Sequence, residues 1–313
     1  MKVLITGIAG FIGANLARTL IEEGAEVHGI VRSSTDLWRL EDIKKKLHLH
    51  TADMGKRDSV SAVIKAVRPS VVYHMAVYGA YPSLQTEPEK ILQTSLFSTL
   101  YVLDAARAAG VDMVVNAGTS SEYGTKDHKM REDEIIGPNS YYAIGKAAQT
   151  HLAQYTALHG GPPSVTLRFF SVYGPFEGPT RLVPVAVRNA LKGVDVPISD
   201  PSIGRDFIYI DDAVDACLKA AQAPQLSGEV INVGIGKQQT LGDVFNAVIK
   251  ETGSASKMAV GAAKKREFDT SIWVADAAKM KKKLKFIPKV LLAEGIANMV
   301  KWFPQYQHVY EAK

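Results

Sequence analysis

Tyr142 and Lys146 form the one Y-x-x-x-K spacing in the chain, Tyr142-Ala143-Ile144-Gly145-Lys146. On a helix, residues four apart share a face, so the phenol and the ammonium would stand side by side. A phenol with its ordinary pKa of about 10 is a poor acid–base group near neutral pH. A neighbouring positive charge favours the phenolate and lowers that value. The pair therefore predicts proton transfer by Tyr142, assisted by Lys146. One such spacing among 12 tyrosines could arise by chance, so it needs independent support.

Support comes from Gly7-Ile8-Ala9-Gly10-Phe11-Ile12-Gly13, which lies between an apolar run, Val3–Thr6, and a helical stretch, Phe11–Glu23. Glycines at such a junction allow a tight turn, a pyrophosphate against the backbone, and a helix packed close on its strand. The free N–H groups and the dipole at the helix start then face the phosphates. The spacing is G-x-x-G-x-x-G and predicts a dinucleotide, whose positive nicotinamide ring would add to the charge beside Tyr142. Lys146 could also hydrogen-bond the nicotinamide ribose. The second apolar run ends Ile30-Val31-Arg32-Ser33-Ser34, without the carboxylate that selects NAD by accepting from the ribose hydroxyl. Arg32 and Ser33 could instead hold a 2′-phosphate, so NADP is expected. NAD is the alternative, with Arg32 lying over the adenine. Asp53 is placed to accept from the adenine amino group, or to serve as an ordinary turn residue.

These groups need a scaffold, and the pattern supplies one. Strand-like runs at Val3–Thr6, Val27–Val31, Leu47–Ala52, Val71–His74, Met113–Ala117 and Val165–Phe169 alternate with helical stretches. Those stretches are Phe11–Glu23, Ser59–Ala66, Leu92–Ala109 and Tyr141–His159. Such alternation predicts an α/β fold, a Rossmann-type doubly wound parallel sheet covered on both faces. After about Phe170 the alternation loosens and Pro and Gly cluster. The expected division is a dinucleotide-binding domain over 1–169, rejoined by 206–233. The rest, 170–205 and 234–313, would form a smaller C-terminal substrate-binding lobe. Phe207–Ile210 and Val230–Val233 look like strands that return to the sheet.

At these residues the chain resembles the extended short-chain dehydrogenase/reductases that act on nucleoside-diphosphate sugars, the NAD-dependent epimerase/dehydratase family. The resemblance runs through Thr6–Gly13, Ala52-Asp53-Met54, Val72-Tyr73-His74-Met75-Ala76, Thr119–Gly124 and Tyr142–Lys146. It continues through Leu167–Pro175, Arg205–Asp212 and Asn232-Val233-Gly234. It implies a catalytic group of Thr119, Tyr142 and Lys146. It implies cofactor contacts from Gly7, Gly10, Phe11, Ile12, Gly13, Arg32, Ser33, Asp53, Met54, Met75, Ala76 and Phe169. It also implies a homodimer through the helices around 92–109 and 141–159. Family members hold the sugar-nucleotide phosphates with arginines, whose places Arg205 and Arg266 take, with Arg181 as a further candidate. Tyr78 and Tyr81 could line the sugar pocket. Ser171 and Ser95 stand where the family usually has Asn, shortening two polar side chains near the site.

The segment Thr119-Ser120-Ser121-Glu122-Tyr123-Gly124 bears on the reaction, and Ser120, Ser121 and Glu122 are expected to contact the substrate. Counted back from Tyr123, family 4,6-dehydratases carry their acids where this chain has Ser120 and Ser121. Glu122 is displaced by one residue, which on an extended strand end would turn it the other way. The expected reaction is reduction of a 4-keto-(6-deoxy)sugar by hydride transfer, with Tyr142 as proton donor. The alternative is a C4-epimerase with tightly held NAD; a dehydratase, and then a non-catalytic nucleotide-sensing or RNA-binding protein, follow behind.

Composition agrees with a large globular protein of 313 residues. The single cysteine, Cys217, excludes an intramolecular disulfide and suits a reducing cytoplasm. Met1–Thr6 reads as a strand, so no secretion signal is expected. No apolar run approaches the roughly 20 residues of a membrane span. The net charge of +5 arises partly from lysines at 279–289, read as a solvated face without interleaved aromatics, which argues against nucleic-acid binding. His74 is read as ordering its strand end. His48 and His50 share a strand face without a third ligand, so no metal is expected.

Overall fold

The computed structural model describes residues 1–80, 86–264 and 272–311. The first half alternates as expected: β1 (Lys2–Thr6), α1 (Phe11–Glu22), β2 (Glu26–Val31), β3 (His48–Thr51), α2 (Arg57–Val67), β4 (Val71–His74), α3 (Pro88–Leu92), α4 (Ser98–Ala109), β5 (Met113–Thr119), α5 (Tyr141–Leu158) and β6 (Ser164–Phe169). The second half contributes β7 (Ser171–Tyr173), α6 (Leu182–Leu191), β8 (Val196–Ile198), β9 (Gly204–Arg205), β10 (Phe207–Tyr209), α7 (Ile210–Ala221), β11 (Val230–Val233), β12 (Gln239–Thr240), α8 (Leu241–Thr252), β13 (Met258–Val260) and α9 (Leu292–Glu311).

Seven strands form one sheet in the order β11-β6-β5-β4-β1-β2-β3, and every pairing in it is parallel. Helices cover both faces, so the central strands are shielded on each side; every residue of β4 and β6 is buried, including the polar His74, Thr166 and Arg168. From β1 the chain winds outward to β3, then crosses back to β4 on the other side. That reversal opens a crevice beyond the carboxyl ends of β1 and β4, where this class of sheet binds ligands. The glycine loop follows β1, Met75 and Ala76 follow β4, and Thr119 ends β5, so the candidate groups meet at that crevice.

Two expectations change. Val230–Val233 joins the sheet beside β6, but Phe207–Tyr209 pairs with Ser171–Tyr173 in a separate two-stranded ribbon. A strand of three residues carries too little pattern to name its partner. The helix expected over Leu92–Ala109 is also interrupted, because Gln93–Phe97 form a single π-helical turn ahead of α4. That turn brings Ser95 against Gly145 of α5, where a Cβ would lie 3.0 Å from the Ser95 hydroxyl oxygen.

The sheet and the second lobe share one core, which runs from Val3 and Leu167 through Ile208 to Met299 and Phe303. Asp206 ties the lobe to the strand after it, because its carboxylate accepts the N–H groups of Ile235, Gly236 and Ala275 at 2.8–3.0 Å. Burial pushes this acid up to about 6, and those three hydrogen bonds pull against the rise. A second tie is the turn after β7. Phe176 has φ 67°, a left-handed conformation that costs a non-glycine residue free energy. Three bonds hold it: Asn15 donates to the Pro175 carbonyl at 3.0 Å, Arg39 to that of Phe176 at 2.7 Å, and the Tyr310 hydroxyl to that of Glu177 at 2.7 Å. The Arg18 guanidinium sits 3.8 Å over the Phe176 ring.

Candidate active site

The glycine loop has the geometry a dinucleotide needs. Gly7 has φ 70°, and a Cβ there would fall 2.7 Å from the backbone of Ala76. At Gly13 a Cβ would fall 2.4 Å from the Gly7 carbonyl, so side chains are excluded at both places. Helix α1 begins on Gly10 without a side-chain cap and without an acid in its first turn. Its leading N–H groups, at Phe11 and Ile12, are thus not capped by one of the chain's own carboxylates, which is the condition for an anion to bind there. Ala76 is fixed by its N–H donating to the Thr6 hydroxyl at 3.2 Å. That hydroxyl also meets His74 at 2.7 Å, and His74 meets Thr99 at 2.9 Å on its other side. The imidazole is wholly buried, and burial pushes it down to about 3, so it stays neutral and structural.

At the adenosine end the geometry is plainer. Arg32 and Ser33 are exposed just past β2, on a turn closed by Thr35, which accepts the Arg32 N–H at 2.9 Å. Asp53 accepts the N–H of Gly55 at 2.9 Å and is thereby a turn residue as well as a candidate acceptor. Met54 is half-buried beside it, and Met75 and Phe169 are buried at the ends of their strands.

Thr119 ends β5 and caps the short turn Ser120–Tyr123. Its N–H donates to Glu122 at 2.8 Å, and the other Glu122 oxygen accepts from Arg168 at 2.8 Å. Both members of this ion pair are buried. The carboxylate that a dehydratase would need is therefore spent on a cap and an ion pair. Ser120 is buried, and its hydroxyl accepts the indole N–H of Trp273 at 3.0 Å. Tyr78, too, is engaged locally, donating to Glu87 beneath the Lys90 ammonium.

Ser140 caps α5 by accepting the Ala143 N–H at 3.2 Å, which sets Tyr142 in the first turn and Lys146 one turn later. The expected lowering of the phenol by Lys146 is not found. Burial pushes Tyr142 up to about 12, while a hydrogen bond to Thr119 pulls it back and Arg181 does so more weakly. The Lys146 ammonium is committed elsewhere, donating to the Ala117 carbonyl and, at 2.8 Å, to Gln149. Gln149 in turn donates to Asn116, which donates to Thr166 at 3.0 Å. All four side chains of this chain of bonds are buried. Burial pushes Lys146 down to about 8, with Glu122 opposing. Ser95, near this network, has a buried hydroxyl without a hydrogen-bond partner.

Beside the crevice lies a cavity of about 310 Å³, lined in part by Ser171, Glu177, Thr180, Arg181, Arg205 and Lys264. Arg181 donates to Glu177 at 3.3 Å, and Arg205 lies 5.4 Å over the Trp273 ring. Arg266 and Tyr81 fall outside the described residues. Sequence reasoning missed Gln149, Glu177 and Trp273. Gln149 lies three residues from Lys146 on one helix face, and Glu177 lies four before Arg181, so spacing alone could have drawn attention to both. Trp273 carries no such signal.

A parallel sheet with an uncapped glycine loop, and Thr119, Tyr142 and Lys146 grouped at its carboxyl edge, defines an extended short-chain dehydrogenase fold. The chain belongs to the NAD dependent epimerase/dehydratase family, whose model matches residues 3–234. It is 30% identical over 320 residues to a UDP-glucose 4-epimerase of Mycolicibacterium smegmatis, covering 97% of this chain and 98% of that one. It is 29% identical over 316 residues to a UDP-glucuronate 4-epimerase of Thermodesulfobacterium geofontis, covering 96% and 95%. The structure of the Thermus thermophilus UDP-glucose 4-epimerase in complex with NAD superposes with a TM-score of 0.87 at 29% identity, covering 97% and 99%.

Any support that Lys146 gives to a bound ribose requires the ammonium, a form lost as pH rises through about 8. Gln149→Leu removes its side-chain acceptor and should lower the alkaline limb of kcat/KM. Gln149→Glu places a carboxylate there and should raise that limb by about a unit. Superimposable pH profiles for wild type and both variants would show that Gln149 does not govern the lysine.

Proposed function

We propose that the chain is a C4-epimerase of a nucleoside-diphosphate sugar that keeps NAD bound through the cycle. The observation that carries this reading is the pairing of an intact Thr119–Tyr142–Lys146 group with an acid-free surround. Glu122 is locked to Arg168, Ser120 to Trp273, and Ser121 has no carboxyl to offer. Such a site can exchange a proton and a hydride at C4 but has no acid–base pair for removing water across C5 and C6. The nicotinamide supplies the hydride acceptor and donor. Tyr142 takes the proton of the C4 hydroxyl and returns it, and Thr119 hydrogen-bonds the same oxygen. The burial that raises Tyr142 is opposed by its hydrogen bond to Thr119 and by Arg181, and Lys146 is assigned to the nicotinamide ribose. Arg181 and Arg205, with Ser171 beside them, are assigned to the diphosphate, and Ser121 to the edge of the sugar site.

Reduction with NADPH is the weaker reading, because it rests on Arg32. That residue is exposed, and its guanidinium can lie over the adenine of NAD as readily as against a 2′-phosphate. The two sequence relatives named above are 4-epimerases, and the NAD complex of the Thermus thermophilus enzyme favours the unphosphorylated cofactor.

Cys217 is buried and unpaired, in keeping with a reducing cytoplasm. Among the described residues no helix is long and apolar enough to cross a membrane. We assign a homodimer to the face formed by residues 92–109 and α5, where Phe97, Ile144 and Tyr155 stand 46%, 45% and 62% exposed. Sedimentation equilibrium should give twice the 33.9 kDa chain mass, and a monomer at micromolar concentration contradicts it.

Tyr142→Phe should abolish interconversion of C4 epimers while leaving NAD binding within about twofold of wild type. Retained turnover in that variant removes Tyr142 from the chemistry.

A further inference from the structure

We propose that Arg39 is a positioning residue that couples the glycine loop to the substrate lobe, so that a ligand in one site tightens the hold on a ligand in the other. The proposal rests on the reading of the loop as the dinucleotide site and of the neighbouring cavity as the sugar-nucleotide site.

The turn at residues 175–177 gives three consecutive carbonyls to side-chain donors from three separate parts of the chain. Asn15 of α1 donates to that of Pro175 at 3.0 Å, Arg39 to that of Phe176 at 2.7 Å, and Tyr310 of α9 to that of Glu177 at 2.7 Å. The first two donors also reach the glycine loop and the helix it opens. Asn15 donates to the Phe11 carbonyl at 2.9 Å, and Arg39 donates through Nη1 to the Ala9 carbonyl at 3.4 Å, inside the loop itself. One guanidinium thus bonds a backbone carbonyl on each side. Its planar fork sets the separation between them, which a single ammonium does not. The fork is held in turn, because it lies 4.2 Å over the Trp38 ring and the Arg39 carbonyl accepts from Arg18.

Two features make this link responsive to ligands. A bond of 3.4 Å is close to the limit of hydrogen bonding, so a loop shift of about 0.3 Å makes or breaks it. A pyrophosphate on the N–H groups of Phe11 and Ile12 acts on that loop directly. The other feature is the left-handed Phe176, a conformation that persists only while its surroundings hold it. A change in the hold of Arg39 therefore shifts the turn. The chain then leads straight to the cavity: Glu177 accepts from Arg181 at 3.3 Å, and Arg181 precedes α6 and lines the cavity with Ser171 and Thr180. Coupling of this kind acts equally in both directions.

The test is exchange of bound NAD for labelled NAD on the loaded protein, with and without saturating UDP, which carries the diphosphate but not the reacting sugar. UDP should slow NAD release from wild type by at least about fivefold. In Arg39→Lys the slowing should fall to within about twofold of none. Tyr310→Phe loosens the same turn without touching the glycine loop, and it should keep the slowing within about twofold of wild type. Equal loss of slowing in both variants marks a general loosening and overturns the proposal. Unchanged slowing in Arg39→Lys overturns it too. Calorimetric titration with UDP separates the remaining outcomes. Wild type that binds UDP without slower NAD release overturns the proposal alone and requires no variant, whereas wild type that does not bind UDP removes the reading of the cavity and the proposal with it.

Discussion

A buried ammonium must be hydrogen-bonded, and the arrangement of the site follows from how Lys146 meets that requirement. Its charge is stripped of water, which lowers its pKa, yet it has to remain positive to serve the role proposed for it. Two acceptors hold it, the Ala117 carbonyl at the end of β5 and Gln149 one turn further along α5. Gln149 is itself anchored through Asn116 to Thr166 on β6, so the lysine is located by two strands and a helix at once. Fixing Lys146 fixes α5 against the sheet edge, and with it the position of Tyr142 beside Thr119. The phenol is then raised by burial, with Thr119 and Arg181 opposing, and on the proposed reading the further charge that brings it toward neutral comes from bound nicotinamide.

The remaining buried charges narrow the chemistry around that centre. A buried ion pair adds little net stability, because desolvation offsets most of its attraction. Glu122 and Arg168 are therefore better understood as holding a geometry than as holding the fold together. They fix the turn behind Thr119 and keep a carboxylate out of the reaction space. Arg168 has a further nitrogen, Nη1, buried without a partner, which underlines how little this pair is optimised for stability alone. The Glu177–Arg181 pair beside the cavity is likewise held in place, by a left-handed turn at Phe176 that α9 braces through Tyr310.

Much of this is legible in the sequence, for identifiable reasons. The central strands are buried on both faces, so Val3–Ile5 is an unbroken apolar run and Val165–Phe169 a run broken only by Thr166 and Arg168, and the glycine loop needs only local geometry to be recognised. Tyr142 and Lys146 share a helix face by spacing alone. Contacts between distant segments are not legible. Ser120 reads as a substrate contact, whereas Trp273, 153 residues away, donates to its hydroxyl. Phe207–Tyr209 reads as a strand of the main sheet because three apolar residues do not encode a partner. The π-helical turn at Gln93–Phe97 has no pattern of its own. The effect of burial on Tyr142 depends on everything packed around it, which no spacing rule contains.

The central claim is that one bound nicotinamide takes a hydride from C4 of the sugar and gives it back, with Tyr142 moving the proton. Incubating the protein and catalytic NAD with UDP-glucose deuterated at C4, and recovering the C4 epimer, tests this most directly. The account predicts full retention of deuterium at C4 with no net consumption of nicotinamide. Deuterium lost to water, or turnover that requires stoichiometric NADPH, would contradict it.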